Sequence, residues 1–202
     1  MESKNIDNLL EESSKMHGHL CPGQVLGVKM SLLGLKMIGI NDPKGEDRKK
    51  IMVFVEIDRC ATDAIQSVTG CSLGRRTLKF MDYGKMAATF INLQTNKAFR
   101  IIAKEEARGW AKERMNHIDD KYKAQLEAYK VMDEKELFDI QQVEVKIRQE
   151  DMPGRPLRRV RCQRCHEYVQ DMREINEGEQ ILCYPCSKGG YYKKLPFQTV
   201  KI

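Results

Sequence analysis

Residues 78–103 read LKFMDYGKMAATFINLQTNKAFRIIA, and this stretch decides the fold class. Three apolar runs, Leu78 to Met81, Met86 to Leu93 and Ala98 to Ala103, are separated by Asp82-Tyr83-Gly84 and by Gln94-Thr95-Asn96-Lys97. Short apolar runs punctuated by Gly, Asn and Asp are the pattern of strands joined by hairpin turns. The expectation is an antiparallel β-meander. Upstream, Ile51 to Ile57 (IMVFVEI) is β-branched and continuously apolar, a largely buried strand. Downstream, Val143, Val145 and Ile147 alternate with charges, as in a half-exposed edge strand.

Helical patterns flank the meander. Residues 5–16 place Ile6, Leu9, Leu10 and Met16 against acids and serines. Pro22 suits the first position of a helix, where its missing N–H would be unpaired in any case. That helix runs to about Ile38 and is apolar over most of its surface, so it is expected to be buried. Thr62 or Asp63 can cap a short helix, Ala64 to Thr69, closed by Gly70. Lys104 to Lys130 reads as one long, highly charged helix. The class is therefore α+β, with the meander packed against helices in a core domain of residues 1–152. Met152-Pro153-Gly154-Arg155-Pro156 is a linker, and residues 157–202 form a second module.

The second module carries Cys162-Gln163-Arg164-Cys165 and Cys183-Tyr184-Pro185-Cys186, separated by residues 166–182. Two CxxC pairs at this separation are the pattern of a structural C4 zinc site, the alternative being two redox pairs. Zinc here would supply folding energy, because so short a segment cannot bury enough apolar surface by itself. The pattern alone does not name a function.

The chain has 202 residues, 32% of them charged, and a net charge of +6. Residues 155–202 hold ten Lys/Arg against five Asp/Glu, which leaves +1 for the rest. Arg155, Arg158, Arg159, Arg161 and Arg164 crowd the entrance of the tail. Such a cluster can touch phosphates, or it is simply a solvated basic linker. No aromatic residue neighbours these arginines in sequence, which weighs against single-strand nucleic-acid binding, although Tyr168, Tyr184, Tyr191 and Tyr192 follow. The longest apolar stretch, Val25 to Ile40, is broken by Lys29, Lys36 and three glycines, so no membrane span is expected. The start, Met-Glu-Ser-Lys-Asn, lacks the basic and apolar regions of a signal peptide. Thiols used as ligands imply a reducing cytoplasm.

A second constellation lies near the N-terminus: His17, His19 and Cys21 at alternate positions, then Cys60 with Asp63 nearby and Cys71 further on. In a helical turn His17 and Cys21 share a face; in an extended segment all three point one way. Imidazole plus thiolate suits zinc or iron. Cys21 at the cap of the Pro22 helix would meet free N–H groups that favour a thiolate. Two thiols and one histidine leave a fourth metal position to water. The alternatives are buried structural residues, or a Cys60–Cys71 redox pair.

The blocks HGHLCPGQVLGVKM (17–30), DRCATDAIQSVTGCSLG (58–74) and DYGKMAATF (82–90) resemble the FmdE-like family, named for a component of formylmethanofuran dehydrogenase. The tail is similar to the DksA/TraR-like class of C4 zinc fingers. The resemblance implies an α+β core with a metal, zinc or iron, near shared Cys and His residues. Carried to this chain, His17, His19, Cys21 and Cys60 become candidate ligands, with Cys71 next, and Asp63, Gln66 and Lys85 match polar positions of the blocks. It also implies a homodimer, for which the Gly27/Ser31/Gly34 stripe and the 143–147 strand are candidate contacts; ordinary packing is the alternative.

Two functions follow. In the first, the core metal acts on a small one-carbon or thiol substrate, with Asp63 or Lys85 in proton transfer and Cys71 as a reactive thiol. That would make it a metal-dependent, oxidoreductase-associated or hydrolase-like protein. In the second, the chain is a non-enzymatic accessory or scaffold, with a molybdoenzyme as one such partner, whose basic finger docks a partner protein or nucleic acid.

Overall fold

The computed structural model describes residues 6–193 and 195. They fall into two compact units, Met1–Lys146 and Ile147–Ile202.

The first unit begins with α1 (Ile6–His17) and α2 (Pro22–Ile38). Strand β1 (Ile51–Val55) leads into α3 (Cys60–Thr69). Strands β2 (Leu78–Phe80), β3 (Ala87–Asn92) and β4 (Ala98–Ala103) follow, then α4 (Ala107–Arg114), α5 (Lys121–Val131), α6 (Glu134–Leu137) and β5 (Phe138–Gln142). The five strands form one sheet in the order β2-β1-β3-β4-β5. β1 pairs with β2 in parallel, and every other pairing is antiparallel. The α+β class stands as read.

Helix α2 sets the packing. Eleven of its seventeen residues are buried, so it must be enclosed on several sides at once. Helices α1 and α3 pack on it, as do β3 and β4 of the sheet. Gly27 and Gly34 permit this closeness. A Cβ on Gly27 would lie 2.5 Å from the Ala61 carbonyl oxygen, and one on Gly34 would collide with the Phe90 ring. The small-residue stripe expected at a dimer contact is thus filled from within the chain: Ser31, buried between the two glycines, donates its hydroxyl to the Gly27 carbonyl at 2.7 Å.

Four local expectations are corrected. Residues 82–84 do not close a hairpin between β2 and β3. β1 is apolar throughout and takes a neighbour on each edge, β2 on one side and β3 on the other. The chain crosses past the end of β1, with Met81 N–H on Val55 O and Lys85 N–H on Glu56 O. The 104–130 helix is two helices, because Asp120 interrupts it and caps α5, its carboxylate accepting the Lys123 N–H at 2.8 Å. The edge strand is 138–142 rather than 143–147. β4 offers partners only as far as Ala98, whose carbonyl takes the Val143 N–H. Finally, α3 starts at Cys60, four residues earlier than expected.

The second unit holds two hairpins, β6 (Arg159–Arg161) with β7 (Tyr168–Gln170) and β8 (Ile175–Glu177) with β9 (Gln180–Leu182), followed by α7 (Tyr184–Lys188). The 3₁₀ turn Gln149–Asp151 belongs with it, since Asp151 pairs with Arg173. Among the described residues, no helix is long and apolar enough to cross a membrane.

Two side chains make the core unit sensitive to substitution. Buried Glu56 receives a two-pronged hydrogen bond from Arg100 of β4, at 2.7 Å on each oxygen. Arg100→Ala would leave that carboxylate buried and unpaired. It is expected to lower unfolding free energy in urea by about 3 kcal/mol. Asp47 organises the 41–50 loop. Its carboxylate accepts from Lys50 and from the Asp42 and Asn41 amides, which hold it down at about 2. A carboxyl depressed in the folded state stabilises above its ordinary value near ~4 and ceases to do so as pH falls through its folded value. Asp47→Asn should therefore unfold at lower urea than wild type at neutral pH. The gap should close as pH falls from about 4 toward about 2.

Candidate metal centre and cleft

Three chain segments meet at one end of α2. His17 ends α1, Cys21 is the N-cap of α2, and Cys60 opens α3. Between the first two helices Gly18 takes φ +97°, a left-handed turn closed by Gly18 N–H on Ser14 O. That turn is neither the helical nor the extended geometry expected from the spacing, yet it gathers the residues. The ligand atoms of His17, His19 and Cys21 all lie within 4.8 Å of one another. The two imidazoles sit with ring centroids 4.8 Å apart, tilted by 40°.

His17 is anchored from behind. Its Nδ1 lies 2.7 Å from Asp63 Oδ2 on α3. Gln66 Nε2 approaches the other Asp63 oxygen at 3.5 Å. The second ring nitrogen, Nε2, is buried and has no hydrogen-bond partner among the described residues. A carboxylate on one imidazole nitrogen, with the other nitrogen left open beside a second imidazole and a thiol, is the arrangement that orients a histidine for a metal. The residues present therefore fit a metal ion.

Cys60 adjoins this triad. Its thiol is pushed up by burial first and by the Cys21 thiol second. A buried relay fixes its position. Ser13 Oγ donates to Gln24 Oε1, and Gln24 Nε2 donates to the Cys60 carbonyl at 2.6 Å. Ser13 and Gln24 are both fully buried. Sequence patterning does not single out Gln24 as functional, although it carries a signal: one amide in an otherwise apolar helix face.

Other predicted residues lie elsewhere. Cys71 follows α3, at the opposite end of that ten-residue helix from Cys60. The helix rises roughly 15 Å, so the two sulfurs cannot form the redox pair. Cys71 is buried in the apolar core, which pushes its thiol up. Lys85 is exposed, on the crossing segment beside the end of β1.

His19, Cys21 and Cys60 line a cleft of about 810 Å³ whose other walls come from α2, Ile57, Met86, α4 and α5. That volume suits a small organic molecule.

In the second unit the four cysteines converge. The sulfurs of Cys162, Cys165, Cys183 and Cys186 all lie within 4.8 Å of one another, and Cys165 and Cys183 are 3.7 Å apart. A tetrahedral ion with ~2.3 Å bonds to sulfur needs edges of about 3.8 Å, so the set fits a metal. The Cys165, Cys183 and Arg164 backbone N–H groups draw Cys162 down to about 6. Hydrogen bonding to Cys183, burial, and the neighbouring Cys165 and Cys162 thiols push Cys186 up to about 12. Without a cation among them these thiols resist ionising together, and a bound metal ion would remove that opposition. The arginines around this cluster are mostly engaged within the unit. Arg158 pairs with Glu174, Arg161 donates to the His166 carbonyl, and Arg164 donates to the Cys186 carbonyl. Arg159 lies 4.6 Å over the Tyr168 ring, an aromatic partner the hairpin supplies and the sequence neighbourhood did not.

An α+β domain with a Cys/His triad at a cleft, joined to a four-cysteine module, defines a two-part metal-binding protein. A family profile described as FmdE, molybdenum formylmethanofuran dehydrogenase operon, matches residues 16–149, and the chain belongs to the FmdE family. A protein of Archaeoglobus fulgidus named as a probable S-adenosyl-L-methionine-binding protein is 30% identical over 208 aligned positions. The match covers 93% of this chain and 54% of that protein, so the chain spans about half its relative's length. The crystal structure of a tungsten formylmethanofuran dehydrogenase FmdE-like protein from Syntrophus aciditrophicus shares the fold. Its TM-score is 0.62 at 22% identity, covering 95% of this chain and 96% of that one.

The relay gives a direct test. Gln24→Leu would strip the buried Ser13 hydroxyl and the Cys60 carbonyl of their partner. It is expected to cost about 2 kcal/mol in thermal or urea unfolding, whereas the double change Ser13→Ala, Gln24→Leu should recover part of that loss.

Proposed function

We propose that the chain is a metal-dependent FmdE-type protein acting on a small molecule held in the cleft. His17, His19 and Cys21 hold the core metal, with Cys60 as an adjoining thiol, and zinc or iron suits this donor set. The observation that carries the reading is His17, locked through Nδ1 on Asp63 while its buried Nε2 has no partner among the described residues. When bound, the metal supplies Lewis acidity toward a carbonyl, thiol or water. Asp63 keeps the His17 imidazole in one orientation and tautomer. Gln24 holds the start of α3 so that Cys60 stays beside Cys21. The tail cysteines hold a structural zinc in a finger of DksA/TraR-like type. The reaction is of a hydrolytic, one-carbon or thiol class.

The Archaeoglobus relative's name points to a sulfonium ligand. In this chain such a ligand would meet Arg59, Arg108 and Lys123 along the cleft and no lining carboxylate among the described residues, so it is not carried over. A second reading, an accessory protein of a molybdenum or tungsten enzyme, draws on the operon named in the family description. Under it the finger docks a protein rather than nucleic acid, because Arg158, Arg161 and Arg164 already have partners within the unit. The homodimer remains part of the proposal, with the exposed β5 edge as its contact.

Metal analysis of protein purified without added metal tests this reading. Wild type is expected to carry two equivalents per chain and Cys21→Ser one, the remaining ion being lost on Cys162→Ser. One equivalent in both wild type and Cys21→Ser would leave only the tail metal and overturn the core assignment.

A further inference from the structure

The cleft beside the Cys/His triad has a charge pattern that its metal-binding residues do not require. Three cations reach it from three separate elements: Arg59 from the cap of α3, Arg108 from α4 and Lys123 from α5. No aspartate or glutamate among the described residues lines it. Residues 1–154 are close to neutral overall, with 25 Lys/Arg against 24 Asp/Glu, so this one-sided set is local. Among the described residues, the Arg59 and Lys123 side chains have no ion-pair partner. Arg108 has an exposed contact with Glu105 at 2.9 Å, the kind of pair that binds weakly. Helices α2 and α3 also begin at this cleft, adding the positive ends of their dipoles. Like charges gathered at a low-dielectric wall attract a counter-charge. The floor between them is apolar, formed by Leu26, Met86 and Leu126 with the Tyr129 ring.

We infer that the cleft binds an organic anion: a small molecule with an apolar or aromatic body and a carboxylate, phosphate or sulfonate group set among Arg59, Arg108 and Lys123. The inference rests on the cleft being the working site of the metal centre. The cationic rim anchors the anionic group, and the body lies on the Leu26–Leu126 floor with its far end toward Cys21.

Two fluorescent probes that share one body separate charge from apolar contact: 8-anilinonaphthalene-1-sulfonate, and N-phenyl-1-naphthylamine, which lacks the sulfonate. Both are titrated into the full chain as purified with its metal. The sulfonate probe is expected to bind at one site at least about tenfold more tightly than the neutral probe. Arg108→Glu and Lys123→Glu, both at exposed positions, should each weaken it by about tenfold while leaving the neutral probe unchanged. Displacement by 1-naphthoate but not by inorganic phosphate would assign the apolar body its share. Equal binding of the two probes, sulfonate affinity unmoved by the charge reversals, displacement by inorganic phosphate alone, or no binding would overturn the inference. Metal analysis of the same wild-type sample separates the two readings. Charge-dependent binding with no core metal would sink the metal assignment alone, and two metals with charge-independent binding would sink this inference alone.

Discussion

Enclosing α2 is the constraint from which the core unit follows. A seventeen-residue helix that is buried along most of its length cannot lie on a surface; it needs the sheet on one side and helices on the others. The two glycines that let α3 and Phe90 approach are therefore parts of the core. Enclosure also dictates where chemistry can occur. α2 presents its free N–H groups only at its start, and there the end of α1 and the start of α3 are drawn together. The polar relay through Ser13 and Gln24 threads this junction without leaving a buried amide unsatisfied.

The two metal-capable groups are built on opposite principles. In the core, the donors are side chains at the ends of helices that pack for independent reasons, so the scaffold exists before the ion. In the tail, the buried residues are mainly Cys162, Leu182 and Cys183, with Val169 packed against them. Four thiols that resist joint ionisation sit where a larger domain would keep its apolar core. Thiols whose acidities are driven apart in the tail, and an anchored imidazole in the core, are the electrostatic signatures of these two designs.

Much of this was legible in the sequence. Pro22 to Ile38 emerged with the expected bounds because Pro at the first turn and Gly39 beyond the last are local signals. The CxxC pairs and the HGHLC segment announced their residues by spacing. What the sequence could not show was the set of partners chosen by packing. β1 takes β2 rather than releasing it to a hairpin, because a doubly buried strand has two edges to satisfy. Residues 115–120, Met-Asn-His-Ile-Asp-Asp, are mostly weak helix formers, but the charged helical composition on either side masked this break between Arg114 and Lys121. Likewise Cys71 looked like a partner for Cys60 in a linear reading, and a single helix between them sets them apart. The role of Asp63 as the anchor of His17, 46 residues away in the chain, needed the fold.

The unequal anchoring of the three donor segments has a kinetic consequence. α2 buries eleven residues, whereas α1, which carries His17, buries Leu9, Leu10 and Ser13. Opening of the lightly docked helix costs far less than unfolding the unit. An ion bound at this triad would therefore exchange through excursions of α1, at a rate set by how firmly Leu9 and Leu10 are seated, while Cys21 and Cys60 stay in place. Residence time at the centre is thus a property of a helix–helix contact about two turns away from the nearest donor atom.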